Sequence, residues 1–273
     1  MNAHTGAELA SCEARALDLA KLSDRGVFAV SEFLSPREVY IYRAALSRGG
    51  YGSRTAACGG VRDAERKKLI IVPDYAVYEA DEGNSGESAA EIAAQEAASE
   101  EIRLIRVAGS GYAALTHRDF MGAILALGIK RGVIGDIIVD ADGHGAYIFC
   151  DAKICRFITS ELSRVGSDAV RVSECETPAF LSAAKRTVTV SDSVASMRAD
   201  CVIAALINCP RERAKAAISS GAVERNYELL TKPDATLDSG DVISVRGYGK
   251  FIISGTDGQT RRGRLRLVAE KYI

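Results

Sequence analysis

Apolar residues recur along this chain with two periods, and the switches between them mark out its units. Residues 5–22 and 35–48 carry the three-to-four-residue spacing of helices. In the second, Ser35, Pro36 and Glu38 spell a helix start: a hydroxyl cap, a proline near the first helical position and an acid three residues past the cap. YGSRTAACGGVRDAERKKLIIVPDY follows; its glycines predict turns and its LIIVP a short strand ending before proline. Residues 79–100 predict an acidic loop and then a helix.

From residue 101 the pattern sharpens. EIRLIRVAG alternates polar and apolar residues, as a half-buried strand does. THRDFMGAILALG sets Phe120, Ala123, Ile124 and Leu127 at helical spacing, with Thr116 as cap, Asp119 at its third position and Gly128 as stop. IGDIIVD and GAYIFCD predict strands joined by the turn DADGHG. AKICRFITSELSRVG predicts a helix stopped by Gly166, and DAVRVSEC a closing strand. The order strand, helix, strand, strand, helix, strand is a split βαβ sandwich, a frame used by small RNA-binding domains and by many other proteins.

Residues 176–195 predict a linker and an entry strand. A short helix follows around Met197, Cys201, Val202, Ala205 and Leu206. A second, PRERAKAAISSG, has Pro210 near its start and Gly221 past its end. AVERN and DVISVRGYGKFIIS predict strands, with a turn at Asp257-Gly258 and a final strand after it.

Composition narrows the classes. The 273 residues are 47% hydrophobic, with no apolar run long enough to span a bilayer. The first residues do not resemble a secretory signal, so a cytoplasmic protein is expected. Seven cysteines without CxxC spacing and three scattered histidines predict free thiols in a reducing compartment and no metal site. Net charge is −1, but it is segregated: Glu79–Glu101 holds eight acids and no base, and Asp241–Ile273 holds seven bases against three acids. Local charge is what a phosphate backbone feels.

The last third carries the strongest candidate chemistry. Arg211 and Lys215 share a helical face, with Arg213 to one side. Arg198 opens the preceding helix. Arg246, Lys250 and the run RRGRLR, with Arg261, Arg262, Arg264 and Arg266, add charge from the sheet. Arg262, Arg264 and Arg266 alternate onto one strand face as a stripe suited to phosphates. A second basic run, Arg62, Arg66, Lys67 and Lys68, reads as a helix sharing Arg62 and Arg66 on one face: either a second RNA contact or a solvated surface.

His117, Arg118 and Asp119 do not make a catalytic cluster, because i and i+2 on a helix face apart. His117 and Arg118, with Lys130 and Arg131 beyond the same helix, are candidates for a second RNA surface. The alternative is structural, with Arg118 paired to an acid such as Asp136. CGG at 58–60 and GSGYAAL at 109–115 lack the lysine of a phosphate-binding loop. No catalytic residue and no cofactor is expected.

Met197-Arg198-Ala199-Asp200, Pro210-Arg211, Ala214, Ile218, Gly221, Val223, Asn226 and Gly240–Gly247 resemble an S4 RNA-binding domain over roughly residues 186–250. S4 helices typically begin Ser-Arg; here proline stands before Arg211. Asn226 joins the candidate RNA-binding residues through this match. CGGVRDAERKKLIIVP at 58–73, HRDFMGAILALGIKRGVIGDIIV at 117–139, GAYIFCDAKICRFITSEL at 145–162 and GQTRRGRLRL at 258–267 resemble the YlmH family of bacterial S4 proteins.

The resemblance implies an α+β chain. Residues 1–78 would be a mainly helical region and 79–100 an acidic loop and helix. Residues 101–178 would be a ferredoxin-like or RRM-like domain, and 186–273 an S4 domain of two helices and a small sheet. It also implies a non-catalytic factor in ribosome-associated quality control, bound to ribosomal RNA of the large ribosomal subunit and to peptidyl-tRNA, with no membrane partner. The competing readings are an RNA-modifying enzyme of the pseudouridine-synthase kind and a protein-interaction scaffold built on the acidic segment.

Overall fold

A computed structural model describes residues 6–79, 89–181, 187–260 and 263–272. The chain divides into two compact units, residues 1–183 and 184–273.

The first unit opens with helix α1 (Gly6–Ser23), strand β1 (Ala29–Val30), helix α2 (Pro36–Arg48) and strands β2 (Thr55–Cys58) and β3 (Lys68–Ile71). The expected capping box starts α2: Glu38 N donates to Ser35 Oγ (3.3 Å), and Ser35 N donates to the Glu38 carboxylate (2.7 Å). Helices make up most of the regular secondary structure of this part, and three short strands accompany them. Its strands form an antiparallel sheet in the order β1-β3-β2, and Leu69, Ile70 and Ile71 are completely buried. The run Arg62–Lys67 is a turn-rich loop rather than a helix. Helices α3 (Asp74–Glu79) and α4 (Ala89–Glu101) follow, so the expected acidic helix is present from residue 89.

Next come β4 (Ile102–Ala108), α5 (His117–Ala126), β5 (Ile134–Val139), β6 (Gly145–Asp151), α6 (Ala152–Glu161), the short β7 (Arg164–Val165) and β8 (Asp168–Ala169), and β9 (Arg171–Cys175). The sheet order is β5-β6-β4-β9, with every neighbouring pair antiparallel. This is the split βαβ frame expected from the periodicity. Asp119 caps α5 as expected, accepting from Thr116 N at 2.8 Å and Thr116 Oγ1 at 2.7 Å. One expectation fails locally: α6 stops at Glu161, and Ser163–Val170 forms the β7–β8 hairpin, turned by Gly166 at φ +58°.

Alternation divides this sheet into two faces. Ile105, Val107, Ile148 and Cys150 pack under Phe120 and Ile124 of α5 and Cys155 and Ile158 of α6. Phe120 and Ile124 are both fully buried, each contributing about 1.5–3 kcal/mol. On the opposite face Leu104 and Phe149 pack against Phe33, Ile70 and the alanines 94 and 98 of α4. Small side chains let α4 lie close to the sheets, and Gly60 lets the CGG loop lie on Phe149: a Cβ there would meet the ring at 2.4 Å.

The second unit begins with β10 (Thr187–Val194), which precedes α7 (Ala199–Leu206) and α8 (Arg211–Ser219). Strands β11 (Val223–Arg225), β12 (Glu228–Leu229), β13 (Val242–Val245), β14 (Gly249–Gln259) and β15 (Leu265–Tyr272) complete a sheet ordered β10-β15-β14-β13-β11-β12. Its core joins Val202, Ile203, Ala214 and Ile218 of the helices to Ile243, Phe251, Ile253 and Leu267 of the sheet. Asp257-Gly258 is not the turn. It lies in a register shift of β14, which runs on to Gln259; the reversal follows, closed by Thr260 N donating to Arg264 O at 2.7 Å. Among the described residues no helix is long and apolar enough to cross a membrane.

Candidate nucleic-acid interface

In the second unit Asp200 organises the cationic side chains at the start of α7 and α8. It is fully buried, an unusual place for a carboxylate, and two arginines answer it. Arg211 donates through Nε (2.9 Å) and a terminal nitrogen (2.8 Å) to Asp200 Oδ2, while Arg198 reaches both carboxylate oxygens at 3.3 Å. Burial alone would push this carboxyl up. The two guanidinium groups overcome it and hold the pKa at about 2. Both arginines stay nearly half exposed, so three groups present a net single positive charge on a fixed frame.

The hairpin of β14 and β15 supplies further charge. Arg264 is exposed and donates to Ser193 O at 2.5 Å, tying the hairpin end to the last residues of β10. Arg266 is exposed, 3.9 Å from Asp257. Arg264 lies in the turn rather than in the strand, so the alternating stripe is shorter than expected; Arg261 and Arg262 lie outside the described residues. Arg213 is exposed, and Lys215 is paired with Glu212 at 2.8 Å. Arg246 is exposed on the β13–β14 turn beside Tyr248. Lys250 stands 5.3 Å over the Tyr227 ring and 5.9 Å from the Tyr272 ring.

Asn226 is not presented outward as a contact. At φ +49° it forms the β11–β12 turn, its amide donates to Asp241 at 2.7 Å, and its carbonyl accepts from Val242 N at 2.9 Å. Asp241 also holds Arg225 at 2.7 Å. This buried acid is thus a second organising carboxylate, which the sequence does not single out because its partners are 15 and 16 residues away.

The second candidate surface is largely structural. Lys68, 1% exposed, is an internal cation bound to Asp151 at 2.7 Å and Glu101 at 3.4 Å. It cannot meet RNA. Arg66 turns inward and donates to the carbonyls of Phe33 and Ile134, and its backbone N–H joins that of Glu65 on Asp136. Asp136 is therefore not the partner of Arg118. Arg131 is half-buried on the carbonyl of Ile134, and burial lowers its pKa to about 10. Burial also lowers that of Lys67. Arg62 is exposed and lines a cleft of about 980 Å³ with Arg43, Arg103 and Glu174. His117, Arg118 and Lys130 are exposed; the first two open α5, and Lys130 lies past its C-terminal end, after the turn at Gly128. Asp119 is committed to its cap, which lowers its pKa. Among the described residues no group of three or more His, Cys, Asp or Glu converges as a metal site.

Residues 97–179 match the family model described as "Putative RNA-binding domain in YlmH". Over 242 residues the chain is 26% identical to the Ribosome-associated protein quality control protein P2 of Bacillus subtilis strain 168, covering 89% of this chain and 86% of that one. The chain is thus similar to YlmH proteins, through one domain and through a relative that aligns over most of its length. A solved structure, the cell division protein ylmH from Streptococcus pneumoniae, is 20% identical, with a TM-score of 0.45 over 64% of this chain and 95% of that one. The family match falls on the split βαβ region, whereas the cationic cluster around Asp200 lies outside it, in the second unit.

The Asp200 frame makes a prediction. Arg211→Ala is expected to destabilise the second unit by about 1.5–3 kcal/mol, the range for a hydrogen bond to a charged group. The folded pKa is depressed, so the contribution of Asp200 is fully present above about pH 4 and lost as pH falls towards about 2. Denaturant melts of wild type and variant across that window should converge; parallel curves would show that the pair contributes nothing.

Proposed function

We propose that this chain is a non-catalytic RNA-binding factor of ribosome-associated quality control. Its second unit, read as an S4 domain, docks on structured RNA of the large ribosomal subunit, with peptidyl-tRNA as a further contact. One observation carries the reading: one small unit holds Arg198 and Arg211 on Asp200 at the starts of α7 and α8, and presents Arg264 and Arg266 on the β14–β15 hairpin, with Arg264 bonded to the strand that leads into α7. The name of the Bacillus subtilis relative supports the ribosomal setting. Phosphates would be met by Arg198, Arg211, Arg213, Arg264 and Arg266, with RNA shape supplying selectivity. A cytoplasmic location follows from that partner.

The absence of catalysis is part of the proposal. The side chains nearest to a catalytic pattern are already engaged: Asp119 on Thr116, Asp136 on the Arg66 loop, and Asp168 on Ser110. Co-sedimentation with large ribosomal subunits tests the whole. With roughly five phosphate contacts, affinity should fall about a hundred- to a thousand-fold between about 50 and 200 mM salt. Association that ignores salt would sink the phosphate mechanism. A modified base appearing in the RNA after incubation would make the chain an enzyme instead.

A further inference from the structure

Among the described residues, the outer face of the central sheet is roofed over only half its length. Along β4 this face carries Ile102, Leu104, Arg106 and Ala108; along β6 it carries Tyr147 and Phe149. The half holding Leu104 and Phe149 is buried under α4 and the loop at Gly60. The other half holds Arg106 and Tyr147, directly opposite each other in register, and neither is buried.

These two side chains are fixed as a stack. The Arg106 guanidinium lies 4.5 Å over the Tyr147 ring. Asp140 grips it with two bonds, 2.9 Å and 2.5 Å, which set its plane and raise its pKa. Phe180, beyond the end of β9, meets Tyr147 edge-on at 5.6 Å and 75° and stays 64% exposed. Arg171 is exposed on the same strand face, two residues along β9 from the partner of Arg106.

We propose that this open half, with Phe180, Tyr147 and Arg106 as its platform, binds unpaired RNA by stacking a base. It rests on the reading of the chain as an RNA-binding factor and assigns the central domain its own class of ligand. A planar base matches flat aromatic and guanidinium surfaces, which is how single-stranded RNA is held without pairing. Arg106 is neutralised by Asp140, so Arg171 is the cation that meets the adjoining phosphate. A partner helix would want a continuous apolar strip, and here the exposed apolar area is two rings flanked by charge. The family model described as RNA-binding covers these strands, from residue 97 to 179.

The test uses the full chain and a single-stranded oligouridylate of about ten nucleotides. Phe180→Ala removes an exposed ring and should weaken binding about tenfold. Arg106→Lys keeps the charge but loses the plane, and should weaken it as well. The chain has no tryptophan, so Phe180→Trp installs a unique reporter. The oligonucleotide should quench the fluorescence of that indole. The proposal is overturned if wild type does not bind the oligonucleotide, if Phe180→Ala binds it equally, or if the indole signal does not respond. Loss of ribosomal-subunit association with unchanged oligonucleotide binding would also overturn it, making the platform a protein contact. Subunit association of the wild type is read separately; its failure would refute the ribosomal role and leave the platform result standing.

Discussion

Lys68→Ala should destabilise the first unit by about 3–5 kcal/mol, the largest stability effect expected for any single charge in the chain. Lys68 joins the N-terminal sheet to the central domain, with its ammonium 1% exposed and bonded to Asp151 and Glu101. Removing it strands Asp151, which is only 13% exposed and also caps α6 by accepting from Lys153 N. An unpaired buried carboxylate costs more than the pair contributed, so the loss exceeds that of a surface bridge several-fold. Urea denaturation at neutral pH measures it, and a loss under about 1 kcal/mol would show that water reaches the site.

The pH dependence gives a second check. Burial pushes the Asp151 carboxyl up, but the Lys68 ammonium and the Lys153 N–H outweigh it and hold the pKa below its ordinary value. In the wild type the contribution is therefore present above about pH 4 and fades as pH falls through the folded pKa. In Lys68→Met the cation is gone and burial raises the pKa. Acid then neutralises the stranded group, and the gap to wild type should narrow.

The double charge reversal Arg264→Glu, Arg266→Glu should abolish most association with structured ribosomal RNA, about a hundredfold or more at moderate salt. Each change removes an attraction to phosphate and installs a repulsion. Neither arginine side chain is part of the core: among the described residues that of Arg264 reaches Ser193 O, and that of Arg266 lies 3.9 Å from Asp257. The unit should therefore melt within about 0.5 kcal/mol of wild type, which separates this test from Arg211→Ala. The slope of log affinity against log salt should also fall by about 2. Filter binding across a salt series reads both. Unchanged affinity would remove the hairpin from the interface and favour a protein-contact role for the chain.

Local signals in the sequence proved the readable ones. Ser35 with Glu38, and Thr116 with Asp119, act within three residues, so spacing alone specifies both helix starts. The alternation in EIRLIRVAG specified one strand, and the short apolar runs IGDIIVD and GAYIFCD about the turn DADGHG two more, which together with the helical spacing between them set the split βαβ order. What spacing does not carry is the partner of a charge. Lys68 reads as one member of a basic run, yet it is internal because Asp151 meets it from 83 residues away. Arg62 and Arg66 share a face only if the segment is helical, and Asp136 holds it as a loop through the N–H groups of Glu65 and Arg66. Asp257-Gly258 has turn chemistry, but the β14–β15 ladder carries through it as a bulge. Neither Arg106 nor Tyr147 stands out in the sequence. Their stacking depended on register between strands about forty residues apart, which no single strand encodes.

Strand β15 lies between β10 and β14, and its residues 265–272 pair with 187–194 along the full length of β10. During synthesis the second unit is therefore missing an interior strand until those residues have left the exit tunnel. The first unit can fold beforehand, vectorially. A chain released short of residue 265 would leave two long unsatisfied ladders, β10 and β14, open to pairing with another molecule. Such truncated products should self-associate and be cleared, so only a chain translated through β15 acquires the hairpin that carries Arg264 and Arg266.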